Sequence, residues 1–267
     1  MMVKPMQIDY VSDLHLSHYV SLKKNPQKQS DQVQVFIEKY FISNSKGQVL
    51  VLAGDYSEYN LQTITMIETF ALYYRHVLVV FGNHDHYLTS QSQRKKYDYC
   101  SENRLLEIQN HFSEIDNVHI LHNQVITIDN VKFAGTRLWY NLTLPKSFEF
   151  YKNQSNDSQF IFSCRDNSTS VWKEYHNQDL SFYNSLVDID VMVSHIPPVQ
   201  PIKSLFPFNE CYVSSVNDFK AKRWICGHQH LVDSFENEGI VFYMNAIGYP
   251  WEDNELSIQS FTVKADD

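Results

Sequence analysis

Five times in this chain a short apolar, β-branched-rich run stops abruptly at a polar cluster. Gln7 to Val11 precedes Asp13-Leu14-His15, Val49 to Leu52 precedes Gly54-Asp55, and Val77 to Phe81 precedes Gly82-Asn83-His84-Asp85. Further on, Ile189 to Val193 precedes Ser194-His195, and Arg223 to Cys226 precedes Gly227-His228-Gln229-His230. Runs of this length and content read as buried strands. Between the first three lie Asp31 to Ile42, with apolar residues at Val33, Phe36, Ile37 and Tyr40, and Leu61 to Tyr74, with Ile64, Ile67 and Leu72. That spacing is helical, and Asp31 is the expected N-cap. Strand, helix, strand, helix, strand implies a parallel sheet, and ligands of open α/β sheets sit beyond the carboxyl ends of the strands, where all five clusters fall.

Downstream, Ser90 to Ile115 is polar and helical in spacing and contains Arg94-Lys95-Lys96. Val118 to Leu121, Val125 to Ile128 and Val131 to Ala134 read as a β-meander turning at Asp129-Asn130. Tyr140 to Ser170, rich in Asn, Ser and Phe, is the least regular stretch. Trp172 to Leu186 reads as a helix, and Ile240 to Ala246 and Leu256 to Val263 as closing strands. The expectation is one domain over 1–267, with cap or insertion segments at 90–115 and 140–170.

No segment approaches the ~20 apolar residues of a membrane-spanning helix, so no membrane partner is expected. Met1 to Tyr10 lacks an apolar leader core, which gives a cytoplasmic address. Cys100, Cys164, Cys211 and Cys226 have no paired spacing and read as free thiols of a reducing compartment. A formal charge of −9 disfavours non-specific tracking of nucleic acid, which needs a basic face, though the basic triplet keeps that partner open. It does not exclude a small phosphorylated substrate, because two divalent cations would reverse the sign locally.

Carboxylate and imidazole together suit divalent ions of intermediate hardness. Asp13 and His15, two apart in a strand-like segment, are expected to project to one face and close on one ion. Asp55 has the two oxygens needed to bridge a pair of ions. His228 and His230 are again two apart, with Gly227 permitting close backbone approach.

Taken together, Asp-x-His, Gly-Asp, Gly-Asn-His-Asp, Ser-His and Gly-His-x-His in this order resemble the calcineurin-like metallophosphoesterase superfamily, over roughly Ile8 to Tyr249. The resemblance implies a four-layer α/β/β/α sandwich of two mixed β-sheets flanked by helices. It implies one metal held by Asp13, His15, Asp55 and His230, and a second by Asp55, Asn83, His195 and His228, Mn being favoured, with Fe, Zn and Ni also compatible. By the same resemblance the ions share a bridging hydroxide that attacks phosphorus in a small phosphomonoester or phosphodiester, such as a nucleotide. His84 is then a proton donor or electrostatic stabiliser at the leaving group rather than a ligand, and Glu58, three positions after the bridging Asp, is its candidate orienter.

The chain departs from the protein-phosphatase branch at Gly54-Asp55-Tyr56-Ser57-Glu58-Tyr59, which lacks that branch's Arg-Gly, and at Asp85, where Glu is usual. Both departures point away from phosphoproteins. Phe133 to Trp139, Trp224 to His228 and Asn245 to Tyr249 resemble a narrower bacterial and phage group. This raises Arg137 as a phosphate clamp, against a surface arginine stacked on Trp139, and His18 and His86 as pocket residues. Two alternatives stay open: a nuclease acting on DNA or RNA, and a non-catalytic scaffold that keeps the fold.

Overall fold

The computed structural model describes residues 5–42, 47–164, 171–204, 208–216 and 218–264. In chain order the elements are β1 (Met6–Val11), α1 (Leu16–Tyr19), α2 (Pro26–Tyr40), β2 (Val49–Ala53), α3 (Asn60–Ala71), β3 (His76–Val80), α4 (Gln91–Lys96) and α5 (Ser101–Phe112). There follow β4 (Val118–Ile120), β5 (Gln124–Ile128), β6 (Val131–Thr136), α6 (Pro145–Asn153), α7 (Asp157–Phe160) and α8 (Val171–Asn184). The chain closes with β7 (Ile189–Ser194), β8 (Ala221–Cys226), β9 (Val232–Asn237), β10 (Ile240–Asn245) and β11 (Gln259–Val263).

The strands form two mixed sheets, in the orders β11-β1-β2-β3-β4 and β5-β6-β7-β8-β10-β9. Pairing is parallel from β1 through β4 and from β6 through β8 to β10, with antiparallel strands at the edges.

Period-2 alternation divides the apolar side chains between cores. Val49, Val51, Leu78 and Val80 face inward and meet Phe133, Val191, Val193 and Ile225 of the second sheet. Leu50, Leu52, Val77 and Val79 point outward onto Val33 and Ile37 of α2, Met66, Ile67 and Phe70 of α3, and Leu105 and Ile108 of α5. Across the second sheet, Met192, Trp224 and Phe242 pack against Tyr183 and Leu186 at the end of α8. The result is the expected α/β/β/α layering. Strands buried on both faces must be apolar throughout, which is why the runs of β2 and of β3 after His76 are unbroken.

Several local expectations need correction. Asn25, not Asp31, caps α2, accepting from Lys28 N, with Pro26 opening the first turn. The segment 90–115 is two helices rather than one, and α5 belongs to the helical layer instead of forming a cap. The expected three-strand meander is only the β5-β6 hairpin; β4 pairs parallel with β3 in the other sheet, so the chain changes sheets just after Leu121. Strand β9 was not foreseen: its alternation is interrupted by charge, as suits an exposed edge. Of the stretch 140–170, residues 165–170 lie outside the described residues; the rest carries α6 and α7, and its Tyr140 and Tyr151 join Trp139, Trp172 and Tyr175 in an aromatic cluster.

Cys100 and Cys164 are joined in a disulfide, with Cα atoms 4.5 Å apart, while Cys211 and Cys226 are free and buried. The expectation of four free thiols is therefore corrected, and with it goes the redox argument for a reducing compartment. Pairing of cysteines 64 residues apart depends on how the stretch after α7 folds back onto the start of α5, which spacing does not encode. Among the described residues no helix is long and apolar enough to cross a membrane.

Gly135 of β6 faces the other sheet, and a Cβ there would collide with Leu121 and crowd Val80. Gly135→Ala should lower stability by about 1–3 kcal/mol, the usual cost of overpacking a core, measured by urea denaturation.

Candidate metal centre

The seven residues expected to bind metal come together at the carboxyl ends of β1, β2, β3, β7 and β8. Five of them, Asp13, His15, Asp55, His228 and His230, have positive φ, between 41° and 71°. Left-handed backbone at non-glycine residues is costly and clusters at functional sites. It also corrects one expectation: Asp13 and His15 do not alternate along a strand but lie in a tight turn leading into α1.

Two carboxylates hold the turns. Buried Asp85 accepts from the backbone N–H of Gly82, Asp55 and Tyr56 at 2.8, 2.9 and 3.0 Å, tying the loop after β3 to the loop after β2. Burial, then repulsion from Asp55, raises its pKa to about 6. Asp13 accepts from His228 N at 3.0 Å, tying the first loop to the last. Gly227 makes that approach possible, since a Cβ would press on Asp13 and Ser12. Arg104, wholly buried, donates to the carbonyl oxygens of Ser57, His84 and Tyr87.

The hydrogen bonds of the imidazoles settle where their lone pairs point. His195 Nδ1 lies 2.8 Å from the Ala53 carbonyl and His228 Nε2 lies 2.9 Å from the Cys211 carbonyl. Carbonyls only accept, so these nitrogens carry hydrogen, and His195 Nε2 and His228 Nδ1 face inward as acceptors when neutral. They meet Asn83 Oδ1 at 3.0 and 3.1 Å. That oxygen is itself an acceptor, oriented because Asn83 Nδ2 donates to Asp157 Oδ1 at 2.8 Å and to the Tyr87 hydroxyl at 3.1 Å. Asp55 Oδ2 is 3.3 Å from His195 Nε2. Four acceptors thus converge with no donor among them.

Beside this group, His230 Nδ1 donates to Glu252 at 2.7 Å, which turns its Nε2 toward His15 Nε2, 3.0 Å away, and Asp13 Oδ1, 3.6 Å away. His15 Nδ1 is buried without a partner. Asp55 Oδ2, 3.9 Å from His15 Nε2, lies between the two groups. Facing lone pairs repel unless a positive centre sits among them, and two divalent cations with Asp55 shared fit both groups. A proton on His195 relieves the same repulsion. Against burial, Asp55 pulls His195 up to about 10; burial and the neighbouring His195 push His228 down to about 4. A cation takes those lone pairs and leaves both rings neutral.

His84 stands outside both groups. Its Nδ1 is 3.0 Å from Glu58 Oε1, and Ser17 donates to the other Glu58 oxygen. Burial raises the Glu58 carboxyl, but the bond to His84 outweighs it and holds the pKa down to about 2. Burial likewise opposes charge on His84, but Asp55 and Glu58 lift it to about 8. A cavity of about 260 Å3 opens in front of Asp55, Asn83, His84, His228 and His230.

The remaining expected residues are placed differently. Arg137 is buried, paired with Asp179 at 3.1 Å and Glu102 at 2.9 Å, and lies over the Tyr175 ring, so it is neither a clamp in the cavity nor a surface residue on Trp139. His86 is buried behind the site, its ring held by Gly82 O and Arg137, and does not line the cavity. His18 lines an adjoining cavity. Arg94 donates to Leu88 O and Lys96 pairs with Glu107, and none of the three basic residues lines the cavity.

Asp157 and Glu252, which orient Asn83 and His230, were not anticipated. Asp157 lies in the irregular stretch flagged as bordering the site, but Asn156-Asp157-Ser158 carries no pattern of its own, and Glu252 is one of many acids near a chain end.

A family model described as calcineurin-like phosphoesterase matches residues 6–232. The chain is 24% identical over 209 residues to an uncharacterized protein of Acanthamoeba polyphaga mimivirus, the match covering 69% of this chain and 72% of that one. The crystal structure of phosphopantetheinyl hydrolase (PptH) from Mycobacterium tuberculosis superposes with a TM-score of 0.70 over 98% of this chain and 97% of that one, at 15% identity, a likeness of fold.

Asp157→Ala removes the acceptor that holds Asn83 Nδ2 and the hydroxyls of Tyr87 and Tyr140. Affinity for one of two cations should fall by roughly 10–100-fold, as for other residues that orient metal ligands. Calorimetric titration with Mn should show one weakened and one intact site.

Proposed function

The chain belongs to the calcineurin-like phosphoesterase family, and from that premise we propose that it hydrolyses a small phosphomonoester or phosphodiester at a centre of two divalent cations. The observation that carries this reading is the convergence of oriented lone pairs from Asp13, His15, Asp55, Asn83, His195, His228 and His230 beside His84, whose Nδ1 is held by Glu58. Cations bound there would supply Lewis acidity to the phosphoryl oxygens and an ionised water at neutral pH.

The protein's own groups do the rest. Glu58 fixes one ring nitrogen of His84 and favours its protonated form, which leaves the other nitrogen to donate to the departing ester oxygen. Asn83, held by Asp157 and Tyr87, keeps its carbonyl oxygen aimed inward. Asp85 and Arg104 hold the loops that carry Asp55 and His84, so the groups need no reorganisation when substrate arrives.

The cavity lining supports a small substrate over nucleic acid: among the described residues lining it there is no Lys or Arg, while Asp157 and Glu252 are present. A polyanion would find no partner beyond the cation pair. The intact ligand set and His84 argue against a scaffold without activity. Mn is the favoured metal, and Fe, Zn and Ni suit the same donors.

His84→Ala should retain metal yet lower kcat about 10²-fold or more on an alkyl phosphate, with a much smaller loss on nitrophenyl phosphate, whose leaving group needs no proton. Glu58→Gln should move kcat in the same sense by less. Steady-state kinetics on both esters decide it, equal losses on the two being the result that sinks the leaving-group role.

A further inference from the structure

A second cavity, of about 530 Å3, adjoins the one before the metal ligands and shares His84, Tyr87, Asn156 and Tyr249 with it. His84 and its partner Glu58 line this second space, whereas Asn83, Asp55, His228 and His230 line only the first. The group assigned to the leaving oxygen therefore stands at the junction. Beyond it Leu22, Tyr59, Phe160 and Trp251 supply apolar or aromatic wall, interspersed with the polar Ser17 and Thr89.

Trp251 is 67% exposed, an unusual place for an indole, yet it is not loose. Its ring stacks on Tyr249, with centroids 4.7 Å apart and planes 13° apart, and meets His18 edge-on at 5.7 Å. Tyr249 in turn stacks on the metal ligand His15, at 4.5 Å and 23°. The stack fixes an apolar face at the cavity mouth before any ligand arrives, so little rotamer entropy remains to be lost on binding.

We infer that this second cavity is the leaving-group subsite, and that it takes a flat aromatic or heteroaromatic moiety against Trp251. This rests on the phosphoesterase reading above and narrows it: the substrate is a phosphoester whose alcohol carries such a ring, and Trp251 determines that specificity. Trp251 lines only the second cavity, while Asp55, Asn83 and His228 line only the first, with His84 common to both, which suits an alcohol that extends past His84 as its ester oxygen takes a proton.

The test uses two non-hydrolysable probes, 2-(2-naphthyl)ethylphosphonate and ethylphosphonate, titrated calorimetrically into the Mn-loaded full-length protein. The naphthyl compound should bind at least about tenfold tighter, the usual scale of one stacked aromatic contact. Trp251→Ala should bring the ratio to within about threefold, and Trp251→Phe should retain most of it. A ratio near one in the wild type, or one that survives Trp251→Ala, overturns the subsite while the phosphoesterase reading stands, provided ethylphosphonate binding requires Mn. If neither probe binds in the presence of Mn and no alkyl phosphate is hydrolysed, the phosphoesterase reading fails and the subsite with it.

Discussion

Five ligand positions in left-handed backbone are the constraint on which this molecule turns. Each such residue costs roughly 1–2 kcal/mol relative to ordinary helical or extended backbone, and a chain adopts that conformation at Asp13, His15, Asp55, His228 and His230 only if something nearby over-determines it. The carboxylates of Asp85 and Asp13 do so, by capturing backbone N–H groups from other loops. The two sheets hold those loops at a common height: Ser12 at the end of β1 bridges Ala246 just after β10, and Asn245 donates to Tyr10 O. Sheet packing, loop strain and ligand geometry are thus one problem, solved together.

The layers of the fold were legible because burial on both faces leaves a run of apolar residues that nothing else explains, and the cluster of candidate ligands because carboxylate and imidazole types recur at the strand ends that the family resemblance singles out. Glu58 was a candidate through the family resemblance, by its offset from Asp55, and the structure brings it to 3.0 Å from His84. What lay beyond the sequence shares one property: it depends on contacts between segments distant in the chain. The Cys100–Cys164 disulfide and the Asp157 contact to Asn83 both require the stretch after Tyr140 to fold back over the loop after β3. Arg137 misled because an arginine beside an aromatic motif reads as a surface group, whereas here Glu102 and Asp179 compensate its burial.

The chemistry divides along the same line. The ligand set comes from strand ends common to the family, while the surroundings that would choose a substrate come from α6, α7 and the loop that carries Tyr249 and Trp251. A cavity with carboxylates and amides but no Lys or Arg among its described lining recognises a phosphate through bound cations and His84. Substrate affinity and metal affinity are then linked, and each should strengthen the other.

The most direct measurement is anomalous diffraction from crystals of the Mn-loaded protein. Convergent lone pairs at two adjoining groups require two anomalous peaks, one among Asp13, His15 and His230 and the other among Asn83, His195 and His228, with Asp55 reaching both. A single peak, or peaks elsewhere with these side chains unmoved, would contradict the two-cation centre.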